Sequence, residues 1–188
     1  MPTNKIVFGF TGLIASGKGT AAGYLKTKYG AAPYRFSTML RDLCDRLYLE
    51  QSRDNMQTMS TAIRSHFGEE TLSKVMAEDV KNDVSKIVCI DGIRRPGDVK
   101  YLRQIPGFVL INIFADMEKR FDRITKRGEN TDDTKKTIEQ FKLDHQKEAE
   151  LQIADIAKEA NEKIDNNGTI EELYSQLDKL VDKYAVKN

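Results

Sequence analysis

The stretch with the clearest chemical content is GFTGLIASGKGT, residues 9–20. From Gly12 to Lys18 it satisfies G-x4-G-K, and it lies between a short apolar run (5–10) and a segment of helical periodicity. Glycines let the main chain wrap so that successive N–H groups of residues 13–19 point at phosphate oxygens. A helix beginning near Gly17 adds its positive dipole end, and Lys18 brings a full charge to the β- and γ-phosphates. Most such loops follow the lysine with a hydroxyl that binds Mg2+. Here residue 19 is glycine, and the hydroxyl comes one position later, at Thr20, which is expected to serve the metal through water. Gly12, Leu13, Ile14, Ala15, Ser16, Gly17, Lys18, Gly19 and Thr20 are the expected site for a nucleotide's phosphates.

Further charged groups follow. Asp91 stands directly after the apolar run 86–90, at the place where ligands bind in open α/β sheets. There it would orient the water of a bound Mg2+ or accept a bond from substrate; turn capping is the alternative. Arg94 and Arg95, with few acids nearby, suggest an anion clamp. Arg120, Arg123 and Arg127 recur three and four apart, on one face of a helix over 117–127, where Asp116, Glu118 and Asp122 offer them ordinary ion pairs. His66 and His145 have no partners in sequence and read as structural or exposed.

The elements that must carry these groups follow from periodicity. Strands are expected at 5–10, 33–36, 86–90 and 107–114, and 162–168 reads as a weak strand and tight turn. Helices are expected at 17–30, at 37–50 from cap residues Ser37 and Thr38, twice within 52–82 around Gly68, at 117–127, and at 169–184. A long charged helix over 132–160 should pack through Ile138 and Phe141, and 128–133 should be a loop. Strands alternating with helices imply a three-layer α/β sandwich around a parallel sheet of about five strands. The 188 residues fit one domain, with 39% hydrophobic residues for a core and 31% charged for a solvated surface. With 30 basic against 29 acidic side chains, a non-specific nucleic-acid or membrane binder is not expected. Cys44 and Cys89 lack metal-ligand spacing and read as buried thiols. No signal peptide or membrane span is visible, so a cytoplasmic protein is expected, monomeric or homodimeric.

The SGKGT of the loop resembles adenylate kinase and other nucleoside monophosphate kinases of the P-loop superfamily, in which the metal is held largely by phosphates and water. The resemblance extends over nearly the whole chain, although only the glycine loop is specific. It implies ATP and Mg2+, and an acceptor-binding helical segment at about 37–82. RFSTMLRDL (35–43) matches the family's Ser-Thr-Gly-x-x-Leu-Arg stretch without its glycine; by that match Arg41 holds the acceptor's phosphate, and Ser37 and Thr38 line its pocket. A lid at about 120–137 would carry Arg123 and Arg127 as transition-state cations. IDGIRR (90–95) is similar to a stretch of dephospho-coenzyme A kinase-like proteins and some phage deoxynucleotide kinases, which favours Arg94 for the acceptor. KIDNNG (163–168) resembles the adenine-side turn of dephospho-coenzyme A kinase, implying that Asn166, Asn167 and Gly168 hold the base through backbone groups.

That enzyme phosphorylates a ribose hydroxyl, and its family carries Gly-Lys-Ser-Thr and an Asp-x-Asp stretch, both missing here. These departures favour a phosphate acceptor. A third possibility is a nucleotide-binding regulator that hydrolyses ATP; the large exposed apolar face it would use is not evident in the sequence.

Overall fold

β1, Ile6–Thr11, is buried along its whole length. That is the fate of an apolar run in a parallel sheet covered on both faces. The computed structural model describes residues 5–127, 137–144 and 148–185. After β1 the chain forms α1 (Lys18–Tyr29), β2 (Ala32–Arg35), α2 (Phe36–Arg46), α3 (Arg53–Phe67), α4 (Thr71–Asn82) and β3 (Ile87–Ile93). It continues through α5 (Pro96–Val99), a 3-10 turn (Leu102–Gln104), β4 (Phe108–Phe114), α6 (Met117–Arg127), α7 (Ile138–Asp144), α8 (Glu148–Lys158), β5 (Glu162–Asp165) and α9 (Ile170–Ala185).

The strands make one five-stranded sheet in the order β2-β3-β1-β4-β5, with every pair parallel. Alternation along β1 sorts its side chains between two cores. Phe8 and Phe10 meet Ala21, Leu25, Leu173 and Leu177 from α1 and α9. Val7 faces the opposite layer, where Leu40, Leu72, Met76, Val80 and Ile156 cover Val88, Ile90 and Leu110. This is the expected three-layer sandwich. The chain runs to one side of β1 for β2 and β3, then crosses to the other for β4 and β5. The carboxyl end of β1 is therefore the switch point where open α/β sheets hold ligands.

Several boundaries differ from expectation. α2 starts at Phe36, with Arg35 as its N-cap residue and no side-chain cap. Ser37 and Thr38 thus lie in its first turn. Burial of the Phe36 ring draws the helix start forward, and the chain leaves the helix after Arg46 through Tyr48, whose φ is 57°. β3 runs on through Asp91 to Ile93, because Asp91 pairs in register with Phe10 on one side and Arg35 on the other. Asp91 is therefore part of the strand. The helix expected over 132–160 is described as α7 and α8, with 132–136 and 145–147 outside the described residues. Its packing face extends beyond the expected residues, since Ile153 and Ile156 are buried along with Phe141. The whole of the expected loop at 128–133, residues 128–136 of the expected lid at 120–137, and His145 also lie outside the described residues. Both cysteines are buried free thiols, and burial pushes Cys89 up to about 12.

Candidate active site

The loop leaves β1 at Thr11, whose buried hydroxyl donates to the Ile93 carbonyl at 3.0 Å and ties the carboxyl ends of β1 and β3 together. Gly12 and Gly17 take φ values of 143° and 108°, a region that side chains rarely enter. Ala15, at φ 60°, enters the left-handed region as well, a strain of about 1 kcal/mol that functional loops commonly carry. Gly17 caps α1 without a side-chain acceptor, and no acid stands in the first turn of that helix. Its leading N–H groups are therefore left for an anion. The Lys18 ammonium curls back over the loop and donates to the carbonyls of Gly12 (2.7 Å) and Leu13 (3.1 Å).

The loop is braced from the far end of the chain. Buried Asn166 donates from Nδ2 to the Ser16 carbonyl at 2.8 Å. A Cβ on Gly17 would lie 2.1 Å from that nitrogen, so residue 17 must be glycine for space as well as for φ. The backbone of Asn166 is engaged too: its N–H donates to Phe114 at 2.8 Å, and its carbonyl accepts from Arg123 at 2.7 Å. Both backbone groups of Asn166 expected to hold a base are thus bonded within the protein, and its side chain latches the loop. Asn167 accepts through Oδ1 from the Asp116 N–H at 2.8 Å and donates its own N–H to Asp165. Gly168 stays exposed beside it.

The α6 arginines divide. Arg120 is buried, donates to Ala115 at 3.0 Å and to the loop carbonyl of Ile14 at 3.3 Å, and lies over the Phe141 ring. It supports the loop from behind, a job that helical spacing did not reveal. Arg123 reaches Asn166, and its second terminal nitrogen is buried without a hydrogen-bond partner. The side chain of Arg127 lies outside the described residues. Between the loop and α8 is a mostly apolar cavity of about 170 Å³, bounded by Leu13, Ser16, Ile113, Phe114 and Ile153. The Ser16 hydroxyl is buried with no hydrogen-bond partner.

On the other side of the loop, Asp91 and Arg35 make a charged corner. Arg35 Nε stands 3.5 Å from Asp91 Oδ2, while Asp91 Oδ1 is buried and accepts no hydrogen bond. A Cβ on Gly19 would lie 3.0 Å from an Arg35 terminal nitrogen. Arg35 was missed in sequence; its only signal was its place at the end of a strand beside Asp91. Thr20 is exposed in the first turn of α1.

The expected acceptor residues lie on α2 and after β3. Ser37 is half-buried and Thr38 exposed. Arg41 donates to Gln51 at 3.1 Å. The backbone N–H groups of Arg94 and Arg95 both donate to Asp98 Oδ2, whose other oxygen receives Arg64 at 2.7 Å inside the protein. Asp98 therefore joins this loop to α3, and Arg95 further approaches Glu69 at 3.7 Å. Leu43, Leu47, Tyr48 and Leu49 are exposed around the end of α2, apolar surface that was not evident in the sequence.

Among the described residues no group of three or more His, Cys, Asp or Glu gathers to hold a metal. With Gly19 lacking a hydroxyl, the unpartnered oxygen of Asp91 has the chemistry to accept from the water ligands of a Mg2+ ion.

A glycine loop joining the central strand to the first helix, at the switch point of a 2-3-1-4-5 parallel sheet, defines a P-loop kinase-like fold. The model of a family described as an AAA domain matches residues 11–142, and the chain belongs to that family. A UPF0200 protein of Methanosarcina barkeri is 28% identical over 167 residues, 88% of either chain. A UPF0200 protein of Methanothermobacter thermautotrophicus is 26% identical over 185 residues, 98% of this chain and 93% of its own. Among solved structures, a shikimate kinase from Bacteroides thetaiotaomicron superposes with a TM-score of 0.64 at 12% identity, covering 95% of this chain and 97% of that one. TT1252 from Thermus thermophilus gives 0.62 at 14% identity, over 96% and 98%. At such identities these two show the fold alone. Among the described residues no helix is long and apolar enough to cross a membrane.

Proposed function

We propose that this protein is an ATP-dependent phosphotransferase that moves the γ-phosphoryl group to a small nucleotide, a nucleoside or deoxynucleoside monophosphate. One observation carries the reading: an uncapped helix start and the Lys18 ammonium share one loop, with the unpartnered Asp91 oxygen on the adjoining strand. The loop amides and Lys18 hold the β- and γ-phosphates, Lys18 exchanging carbonyl partners for phosphate oxygens. Mg2+ bound with the nucleotide would neutralise phosphate charge, with Asp91 accepting from its waters. Arg41 and Arg94 fix the acceptor's phosphate, Ser37 and Thr38 line its pocket, and Arg123 or Arg127 neutralises charge on the transferring group. Asn167 and Gly168 border the base. The bond from γ-phosphorus to the β–γ bridging oxygen breaks as one to an acceptor phosphate oxygen forms, and no proton has to move.

A hydroxyl acceptor, as in a dephospho-coenzyme A kinase-like reaction, is the second reading. Asp91 favours it, since an unpaired carboxylate oxygen is what would take the hydroxyl proton.

The test offers γ-labelled ATP with each nucleoside monophosphate and with dephospho-coenzyme A. Label on a monophosphate supports the proposal, and label on dephospho-coenzyme A supports the second reading. Phosphate release with no labelled acceptor refutes both in favour of a regulatory ATPase. Lys18→Ala should lower transfer by at least about 100-fold while the protein stays folded.

A further inference from the structure

The glycine after the loop lysine leaves that position without a hydroxyl, and Arg35 lies beside it. Arg35 ends β2 in register with Asp91. Its Nε meets Asp91 at 3.5 Å, and its terminal nitrogen lies 3.0 Å from where a residue-19 side chain would begin. A Ser or Thr at 19 would press its Cβ against that guanidinium. Gly19 is thus the residue type that lets Arg35 lie against the first turn of α1, beside N–H groups that no side chain caps. A guanidinium is always charged and suits phosphate oxygens in geometry.

We infer that Arg35 is a phosphate-binding residue of this loop: it occupies the corner that a residue-19 hydroxyl and its magnesium hold elsewhere, and grips the triphosphate with a cation built into the protein. This rests on the loop being a triphosphate site. It assigns one residue beyond the anticipated set and gives residue 19 its reason. Asp91 then has two jobs in succession, holding Arg35 in place and receiving the ion's waters once nucleotide is bound.

The consequence is a weakened dependence of binding on metal, which calorimetric titration with ATP in EDTA and in Mg2+ reads directly. Wild-type protein should bind ATP in EDTA within about tenfold of its affinity in Mg2+. Removing one charge-assisted contact in Arg35→Met should weaken EDTA binding by roughly 10–100-fold and binding in Mg2+ by less. Gly19→Ser added to Arg35→Met should recover affinity in Mg2+ but not in EDTA, because it restores the hydroxyl. Asp91→Asn separates a direct grip from mere support of Asp91: it should weaken metal-free binding less than Arg35→Met does, whereas equal losses would mean that Arg35 acts only through Asp91 and would overturn the inference. Thermal melts establish that each variant is folded, and Arg35→Lys serves as a milder change that keeps the charge. Wild-type EDTA affinity retained in folded Arg35→Met overturns the inference and leaves the loop assignment standing. Failure of wild-type protein to bind triphosphate in either condition overturns both.

Discussion

The latch between Asn166 and the loop can be taken apart with two substitutions. Asn166→Ala removes the donor to Ser16 and leaves a buried carbonyl unsatisfied, at about 1–3 kcal/mol. Gly17→Ala places a methyl 2.1 Å from the same nitrogen at φ 108°. It should add about 1–2 kcal/mol of backbone strain to the loss of the latch, a total of roughly 2–5 kcal/mol. The double variant loses the latch only once, so within the Asn166→Ala background Gly17→Ala should cost its strain alone. The predicted coupling is about 1–3 kcal/mol, measured as a double-mutant cycle of urea denaturation midpoints. ATP affinity should follow, because a loosened loop must be ordered at the expense of binding: Asn166→Ala is expected to raise Kd by about 5–100-fold. Additivity within about 0.5 kcal/mol, with unchanged ATP affinity, would falsify the idea that Asn166 positions the loop.

Two further predictions concern stability. Arg64→Met leaves Asp98 buried without its cation, and the Arg64 and Asp98 side chains are 5% and 3% exposed. It should cost about 3–5 kcal/mol and lower the melting midpoint by roughly 10 °C; a calorimetric loss under about 1 kcal/mol would show the pair to be dispensable. Asp178 receives Lys28 from α1 together with Tyr24 and Tyr29. Although burial tends to raise its pKa, bonds from Lys28, Tyr29 and Tyr24 outweigh that and hold it below the ordinary carboxylate value. Its contribution is complete above the unfolded value and disappears as pH falls through the folded one. Asp178→Asn should therefore destabilise by about 1 kcal/mol at pH 7 and by progressively less below about pH 4. An undiminished difference at pH 2 would contradict this account.

Groups that declare themselves by local pattern were legible. An apolar run before glycines and a lysine is enough to place Lys18, and an acid at the end of a second apolar run is enough to place Asp91, because a parallel sheet brings its carboxyl ends to one edge. Arg35 was not legible, since its meaning depends on the register that sets it opposite Asp91 and on the space left by Gly19. The turn at 163–168 was visible, yet nothing local told a base-binding turn from one whose Asn166 side chain crosses to Ser16. On α6, spacing placed Arg120 and Arg123 on a common face but was blind to the Ala115, Ile14 and Asn166 carbonyls that receive them. The early start of α2 follows from Phe36 docking in the core, which outweighed the capping preference of Ser37 and Thr38.

The loop made near the beginning of the chain is completed by a side chain 150 residues later. During synthesis the nascent glycine turn can fold against its own helix, yet it has no Asn166 until 150 further residues have been made. Nucleotide should therefore selectively stabilise molecules that have reached Asn166, and pass over arrested or truncated products that lack β5 and the turn after it. Ligand capture is, on this architecture, a check that synthesis has passed Asn166.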